Sequence, residues 1–310
     1  MWRCPLCYEA FQSDIALSAW QCTNKHSFDR AKQGYVNLLP VQNKNSKSPG
    51  DDQGMIQARS RFFLSKPYLA LAKNVASLIQ QHLCADISEN TDNVIEQDSK
   101  NASQSVPRND GVPYLVYDSG CGEGHYIDQI SALLGPSFSI NGHDISKSAA
   151  LAAAKKNKNS QIVVASTVNI PLVNESQDVV YQVFAPACDK EYFRVLKEGG
   201  LLVIVEPAEQ HLHELKKQIY DNPVLHECHD KEMSGFSRIS AKKLKFDVPL
   251  ENAEQRLALL QMTPYFWKAS SQAKQDIQDS LHSVTAHFYI QAFIKINLKA
   301  ANERQDITDE

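Results

Sequence analysis

The sequence lacks any run of about 18 apolar residues, so it predicts no transmembrane helix. Its start, MWRCPLCYEAF, lacks the basic and long apolar stretches of a secretory signal. No internal repeat is visible either. These absences argue against membrane-spanning, exported and repeat proteins, and they lead us to expect a cytoplasmic protein with no membrane partner.

The chain also lacks a large excess of charge, because 32 Lys and Arg residues face 36 Asp and Glu residues. This balance does not by itself indicate a nucleic-acid-binding protein. The distribution is uneven, however, since residues 1–66 hold nine basic and five acidic residues, whereas residues 86–110 hold two basic and six acidic residues. A polyanionic partner is therefore expected to meet the N-terminal part, where the local potential is positive.

Cysteine is present, but its count of seven is odd and no export signal accompanies it, which argues against a disulfide framework. Three cysteines cluster with a histidine in the spacing C-x2-C-x14-C-x3-H, formed by Cys4, Cys7, Cys22 and His26. Four such ligands suffice for a closed tetrahedral zinc site, which would be structural rather than catalytic. The rival interpretation is a redox pair of Cys4 and Cys7, which would need a preceding strand for which residues 1–3 leave no room.

From residue 112 onward, short apolar runs alternate with helical patterns, which predicts an α/β fold with a doubly wound parallel sheet. The first predicted strand ends at Asp118 and the second at Asp144, and the runs QIVVAS, DVVYQVFAP and LLVIVEP supply three more. Before this domain we predict a cysteine-rich module (1–36), a connector with helices (37–86) and a polar, acidic insertion with the composition of a disordered segment (87–111). The domain spans 112–300, and 301–310 form a tail.

The stretch DSGCGEG, residues 118–124, lies between the first strand and a helix, so it predicts a cofactor loop. A dinucleotide site is expected to carry G-x-G-x-x-G and to place a pyrophosphate at the helix N-terminus. Here Gly120, Gly122 and Gly124 alternate strictly behind the carboxylate of Asp118. A carboxylate repels a pyrophosphate but attracts a sulfonium or ammonium group, which favours S-adenosylmethionine over a dinucleotide.

Two further positions fit the same cofactor. Asp144 ends the second strand, where its carboxylate could accept hydrogen bonds from ribose hydroxyls, and Ser166 follows the third strand, where it could reach an adenine. The segment FAPA, residues 184–187, ends the fourth strand, where a methyl acceptor must approach. Ordinary loop chemistry is the alternative explanation for Ser166 and for FAPA.

Together, the stretches CPLC, HSFDRAKQGYVNLL, PGDDQGMIQARSRFF, DSGCGEG, HDIS, FAP and LLQMTPYFWKA resemble the bacterial 23S rRNA guanine-N1 methyltransferases that bear a zinc module. The resemblance implies a class I S-adenosylmethionine-dependent methyltransferase fold, Rossmann-like, with a small N-terminal zinc-binding module that recognises RNA. It implies zinc at the four ligands above, a homodimer, and a hairpin loop of 23S rRNA as substrate, with guanine 745 favoured over guanine 748. It also implies cofactor contacts at Tyr68, Gly122, Glu123 and His211.

Guanine N1 carries a proton that must leave during or before methyl transfer, so a proton acceptor is expected near FAPA. The candidates are Asp189 and His211, although Asp189 also fits a helix N-cap and His211 a cofactor contact. Phe28, Tyr35, Phe62 and Phe63 could stack on RNA, and Arg30, Lys32, Lys44, Lys47, Arg59 and Arg61 could meet phosphates, or all could be core and solvated surface. A small-molecule methyltransferase and a zinc-dependent RNA-binding or assembly protein with a vestigial cofactor fold are the competing functions.

Overall fold

The structure is a computed structural model that describes residues 2–12, 18–40, 49–88 and 111–296. The predicted tail and nearly all of the predicted insertion lie outside the described residues, as do Lys44 and Lys47. Among the described residues, no helix is both long enough and apolar enough to cross a membrane.

The N-terminal part contains three short strands and two helices. They are β1 (Ala19–Gln21), β2 (Ser27–Asp29), β3 (Val36–Asn37), α1 (Gln53–Phe62) and α2 (Leu69–Ser88). Strands and helices then alternate as β4 (Tyr114–Ser119), α3 (His125–Leu134), β5 (Phe138–Asp144), α4 (Lys147–Lys156), β6 (Ile162–Val164), β7 (Gln177–Val183), α5 (Asp189–Val195) and β8 (Leu196–Pro207). The last described elements are α6 (His213–Lys217), β9 (Phe236–Pro249), α7 (Ala253–Gln261), α8 (Ser271–Ser280) and β10 (Ser283–Lys295).

Eight strands form one sheet in the order β3-β6-β5-β4-β7-β8-β10-β9. The pairs from β3 to β8 are parallel, whereas β10 runs antiparallel to both β8 and β9. The chain order reverses direction at β4, so the ends of β4 and β7 flank the switch point at which open α/β sheets bind ligands. The doubly wound sheet predicted from the alternating runs is confirmed.

The central strands are covered on both faces, which explains their near-continuous apolar sequence. All seven residues of β7 are buried, and five of the six residues of β4 are buried. On one face, α2, α3, α4 and α7 contribute to a large hydrophobic cluster. The second face has its own cluster, in which the N-terminal module takes part.

The N-terminal module packs directly on the sheet. The connection from β6 to β7 forms no helix, and Trp2, Phe11 and Trp20 share a cluster with Tyr117 of β4 on that face. The backbone N–H of Arg3 donates to the carbonyl of Pro171 at 3.0 Å. In addition, β3 pairs with β6, so the segment boundary predicted at residue 36 falls inside a strand of the main sheet.

Two local features differ from the sequence patterns. The run KEYFRVLKEGG has the pattern of a single helix, but α5 ends at Val195 and the remaining residues begin β8. The N-cap position of α5 is held by Cys188, so Asp189 is the first residue of the helix rather than its cap. The chain becomes extended at Leu196, the C-cap of α5, so Gly199 and Gly200 lie inside β8 and do not terminate the helix.

Candidate functional site

The metal-ligand candidates of the N-terminal module come together as predicted. The Sγ atoms of Cys4, Cys7 and Cys22 and a ring nitrogen of His26 all lie within 4.8 Å of one another. The β1–β2 hairpin brings Cys22 to His26, and a tight turn holds Cys4 and Cys7, with the N–H of Leu6 directed at the Cys4 sulfur at 3.5 Å. All described cysteines are free thiols.

The separations in this cluster fit a tetrahedral zinc ion. A Zn–S bond of about 2.3 Å places two sulfur ligands about 3.8 Å apart. The Cys7 and Cys22 sulfurs are 3.6 Å apart, and the Nδ1 atom of His26 lies 3.6 Å from the Cys4 sulfur and 3.5 Å from the Cys22 sulfur. Four protein ligands would leave no position for water, so the zinc supported by this geometry is structural.

The glycine loop follows β4 and turns into α3. Gly120, Gly122 and Gly124 all have positive φ values, of 82°, 56° and 79°. A Cβ atom at Gly120 would lie 2.4 Å from the Cβ atom of Ala185, so the loop packs closely against the end of β7. Three left-handed residues in alternation and a close approach of two strand ends explain why glycine is required here.

The carboxylates of the loop are buried. Burial raises the pKa of Asp118 well above its usual range, and the nearby carboxylates of Asp144 and Glu123 raise it further, whereas the Tyr181 hydroxyl opposes them. Burial also raises the pKa of Glu123, with the Arg59 guanidinium opposing. Because burial makes the negative charge of these carboxylates unfavourable, a cationic ligand that compensates this charge is favoured here.

Asp144 organises the loop itself. One carboxylate oxygen accepts the N–H of Gly122 at 2.9 Å, and the other accepts the N–H of Ser146 at 2.8 Å. Ser146 caps α4 and donates its hydroxyl to the carbonyl of Asp51 at 2.7 Å. The connector segment before α1 is thereby fixed to the cofactor loop.

Arg59 is a member of this site that the sequence analysis placed elsewhere. Its guanidinium forms an ion pair with Asp51 at 2.5 Å. Burial lowers its pKa, but the carboxylates of Asp51, Glu123 and Asp144 outweigh that effect and raise the pKa. Arg59 is one of the cations that could meet RNA phosphates or lie on a solvated surface, and the structure turns it toward the acids of the cofactor loop instead. No local sequence pattern signals this arrangement, because the partners are far apart in the chain.

An aromatic wall lies beside the loop. The Tyr68 ring packs against those of Phe63, Phe288 and His211, with ring centroids 5.6, 5.1 and 6.1 Å apart. Burial lowers the pKa of His211 to about 3, and its Nδ1 atom accepts the N–H of His287 at 3.3 Å. A neutral imidazole with that nitrogen occupied is a poor proton acceptor, which favours a packing or cofactor-contact role for His211.

Phe184, the first residue of FAPA, follows the end of β7 on the predicted acceptor side of the site. It adopts a left-handed backbone with φ 59° although it is bulky, and its side chain is 43% exposed. Its ring lies 5.3 Å from that of His211 and 5.7 Å from that of Phe288. A strained, exposed aromatic at a switch point is typical of functional sites. The sequence FAPA predicts where the methyl acceptor approaches, but it does not predict the left-handed backbone of Phe184.

Several buried polar atoms around the loop have no hydrogen-bond partner within the chain. They are Oε1 of Glu123, both ring nitrogens of His125 and the hydroxyls of Tyr68 and Tyr126, whereas the Asp118 carboxyl interacts with the Tyr181 hydroxyl. Buried polar groups are almost always satisfied, so this concentration indicates a bound molecule with complementary donors. A cofactor with a sulfonium, an amino group and ribose hydroxyls fits these residues.

The remaining predicted residues are more exposed. Ser166 is half-buried, with its hydroxyl accepting the N–H of Val168 at 3.4 Å, and Asp189 is exposed in the first turn of α5.

The aromatic residues suggested for stacking on RNA are mostly in the core. Tyr35, Phe62 and Phe63 are buried and do not face RNA, so the suggestion of stacking is wrong for these three residues. Arg61 donates to the side chain of Gln261 at 2.9 Å.

Comparisons with known proteins agree with this geometry. Residues 2–47 match the zinc-ribbon family described as RlmA, N-terminal, and residues 112–257 match a methyltransferase domain family. A Bacillus subtilis (strain 168) protein, YxjB, provisionally named a 23S rRNA (guanine-N(1)-)-methyltransferase, is 28% identical over 277 residues, which are 87% of this chain and 88% of that protein. A Micromonospora griseorubida protein with the same provisional name is 32% identical over 69% of this chain and 68% of its own length. The Streptomyces fradiae 23S rRNA (guanine(748)-N(1))-methyltransferase is 30% identical over 69% and 65%.

The sheet, the glycine loop and the domain match define an S-adenosylmethionine-dependent methyltransferase with an N-terminal zinc ribbon. Its cofactors are accordingly S-adenosylmethionine and a structural zinc ion. The relatives match 69% to 87% of the chain, and the chain belongs to the 23S rRNA (guanine-N1)-methyltransferase family. The resemblance stated from the motifs is confirmed.

Proposed function

We propose that this enzyme transfers a methyl group from S-adenosylmethionine to N1 of a guanine in a hairpin loop of 23S rRNA. One observation carries the proposal: a zinc ribbon and a loop of buried carboxylates share one sheet in a chain whose relatives bear this name. The loop is the evidence for S-adenosylmethionine as the methyl donor, and the ribbon is the evidence for RNA as the substrate. Such an RNA would be met in the cytoplasm.

The cofactor residues of this proposal are Tyr68, Asp118, Gly120, Gly122, Glu123, Gly124, Asp144, Ser166 and His211. When bound, S-adenosylmethionine supplies an electrophilic methyl group. Asp118 and Glu123 provide negative charge for its cationic groups, and Asp144 holds the loop through its bond to Gly122. The Tyr68 and His211 rings exclude water from this side of the site.

The acceptor side is formed by the end of β7. Methyl transfer needs the nucleophile placed in line with the methyl group, so the chief work of the protein is positioning. The exposed ring of Phe184 is suited to stack on a guanine that has left the RNA stack. Asp189, in the first turn of α5 beyond FAPA, remains the candidate acceptor for the N1 proton, because His211 is neutral and engaged.

Incubation with tritiated S-adenosylmethionine and 23S rRNA from a strain lacking this gene tests the proposal. N1 methylation blocks Watson–Crick pairing, so primer extension should stop at the modified base and should distinguish guanine 745, the target we propose, from guanine 748. The preference for guanine 745 rests on the resemblance alone. No label and no stop would contradict the RNA substrate and would favour a small-molecule methyltransferase if the cofactor still binds, or an RNA-binding assembly protein if it does not.

We also propose a homodimer, on the basis of the family resemblance. Light scattering of the zinc-loaded protein should then give twice the 34.7 kDa mass of one chain. A mass equal to one chain at micromolar concentration would contradict it.

A further inference from the structure

A large open cavity lies between the zinc ribbon and the carboxyl end of α4. Its volume is about 450 Å³, and we call it the ribbon–helix pocket. One wall comes from the ribbon and the other from the methyltransferase domain. The described lining residues are Ser18, Arg30, Ala31, Lys32, Gln33, Gly34, Ala154, Asn157, Lys158 and Ser160.

The described lining of this pocket is cationic. It includes Arg30, Lys32 and Lys158 and contains no Asp or Glu. The carbonyl end of α4 contributes about half a negative charge, which the positive charges of the two lysines alone outweigh. The other polar lining groups are amides and hydroxyls, which can donate hydrogen bonds to an anion. The pocket is therefore built for an anionic group rather than a cation.

Arg30 is oriented by the ribbon fold. Its Nε–H donates to the carbonyl of Gly34 at 3.2 Å across a tight turn in which the N–H of Gly34 donates to the carbonyl of Ala31 at 2.8 Å. A Cβ atom on Gly34 would be 4.0 Å from that of Ala154, so the turn rests on α4. The turn that carries Lys32 is thus held beside the carboxyl end of α4, which Lys158 follows.

The side chain of Asn157 ties the pocket to the cofactor loop. The Asn157 amide donates to the carbonyl of Gly124 at 3.0 Å and to that of Ala153 at 3.1 Å. Asn157 is buried between the pocket and the start of α3. A group bound in the pocket would therefore be located relative to the cofactor.

We propose that the ribbon–helix pocket binds a phosphate of the sugar–phosphate backbone of the RNA substrate and thereby sets the register of the RNA on the enzyme. This inference rests on the proposed function and deepens it. Phosphate contacts fix position and orientation without reading sequence. Arg30 and Lys32 are among the residues that the sequence suggests for contact with RNA phosphates. Lys158 joins them only because the fold brings it to the same pocket.

The test measures the affinity of the full-length, zinc-loaded protein for the 23S rRNA hairpin as a function of salt. Lys32→Glu and Lys158→Glu should each weaken binding roughly fivefold to tenfold at about 0.1 M salt and lower the salt slope by about one. Lys158→Gln should give a smaller loss in the same direction. Cofactor affinity and zinc content should match those of the unmodified protein, because neither lysine touches either site.

Lys242→Glu is the matched control. Lys242 is an exposed lysine on β9, at the opposite edge of the sheet from β3, and we expect it to leave RNA affinity nearly unchanged. Pocket variants that bind RNA with unchanged affinity and slope would overturn the phosphate site while leaving the methylation result intact. A loss of zinc or cofactor in those variants would also overturn it, because the lysines would then be structural. Absence of methyl transfer by the unmodified protein would contradict the proposed function separately.

Discussion

At the scale of single residues, Gly120 combines a left-handed backbone with a close packing contact. Gly199 has a similar φ, 71° against 82°, but an added Cβ would meet nothing within 4 Å. Gly199→Ala should lower the free energy of unfolding by about 1 kcal/mol through backbone strain alone. Gly120→Ala should cost about 2 to 4 kcal/mol, because Ala185 must also move. Chemical denaturation measures both.

Cofactor binding separates the two glycine variants further. Displacement of the loop against β7 should weaken S-adenosylmethionine binding at least tenfold, or about 1.4 kcal/mol, in Gly120→Ala. Gly199→Ala should bind as the unmodified protein does in titration calorimetry. Equal effects of the two substitutions would show that the contact with Ala185 does not shape the cofactor site.

The buried carboxylate of Asp118 has opposite effects on the stability of the unliganded protein and on its affinity for the cofactor. Its folded pKa is raised, so the native carboxyl keeps its proton at pH values where the unfolded carboxyl, with an ordinary pKa of 3.8, has lost it. The unliganded protein therefore loses stability as pH rises from the unfolded pKa to the raised folded pKa. Asp118→Asn should reduce this slope, should be more stable than the parent near the upper end of that window, and should bind S-adenosylmethionine at least tenfold more weakly.

Unfolding experiments at acidic and neutral pH, paired with calorimetric titration, check this prediction for Asp118. Glu123 and Asp144 also have raised pKa values, so part of the slope should persist in the variant. A variant that is less stable than the parent at neutral pH, or that retains full cofactor affinity, would be incompatible with a buried carboxylate serving a cation.

The sequence could predict the acids of this site because each stands where a strand ends. Asp118 and Asp144 follow neighbouring parallel strands, whose carboxyl ends must meet at one edge of the sheet. Arg59 could not be assigned in this way. Its guanidinium pairs with Asp51, which the hydrogen bond from the Ser146 hydroxyl, 95 positions away in the chain, joins to the cofactor loop. Likewise, the left-handed conformation of Phe184 has no signature in its own side chain.

At the scale of elements, the apolar runs predict the central strands and their sequence along the chain. Strands of only two or three residues leave no such pattern. β3 consists of Val36 and Asn37 alone, and its pairing with β6 depends on the ribbon being folded. The strands β1 and β2 are only three residues long, and their hairpin is organised around the metal ligands. These elements are products of the zinc site and of tertiary contacts, so local periodicity cannot reveal them.

Removal of zinc should expose the aromatic face of the ribbon. Trp2 and Trp20 are 3% and 4% exposed in the same hydrophobic cluster as Cys4 and Cys22, whereas Trp267 is 67% exposed. In a Trp267→Phe background, chelation of the zinc should shift tryptophan emission to longer wavelength, and added zinc should reverse the shift. Cys22→Ser should show the shifted emission from the start.

The thiol Cys228 supplies the comparison for that experiment, because it lies outside the metal-ligand cluster. Cys228→Ser should keep its zinc and should respond to chelation as the parent does. Emission that stays unchanged after metal analysis shows complete removal of zinc would mean that the ribbon holds its packing without the ion.

At the scale of the whole molecule, ribbon and methyltransferase domain share a core. Trp2 contacts Tyr117 of β4, with ring centroids 5.9 Å apart, and the cluster continues to Tyr192 of α5. The Arg194 guanidinium donates to the carbonyls of Ile170 and Leu172 at 2.8 and 2.6 Å, and so fastens α5 to the segment that Trp2 and Arg3 contact. The sequence predicts a cysteine-rich module at residues 1–36, and its packing against the sheet indicates that it forms one cooperative unit with the domain.

We therefore expect the zinc-loaded protein to unfold in a single transition. Tryptophan fluorescence in the Trp267→Phe background reports on the ribbon, and far-ultraviolet circular dichroism reports chiefly on the sheet and its helices, so the two denaturation curves should coincide. S-adenosylmethionine at about 100 times its Kd should stabilise both by about 2.7 kcal/mol, because ligand binding to one side of a shared core stabilises all of it. A fluorescence transition at lower denaturant that does not respond to the cofactor would instead show that the ribbon unfolds independently, and the core contacts of Trp2 would then contribute little to the stability of the sheet.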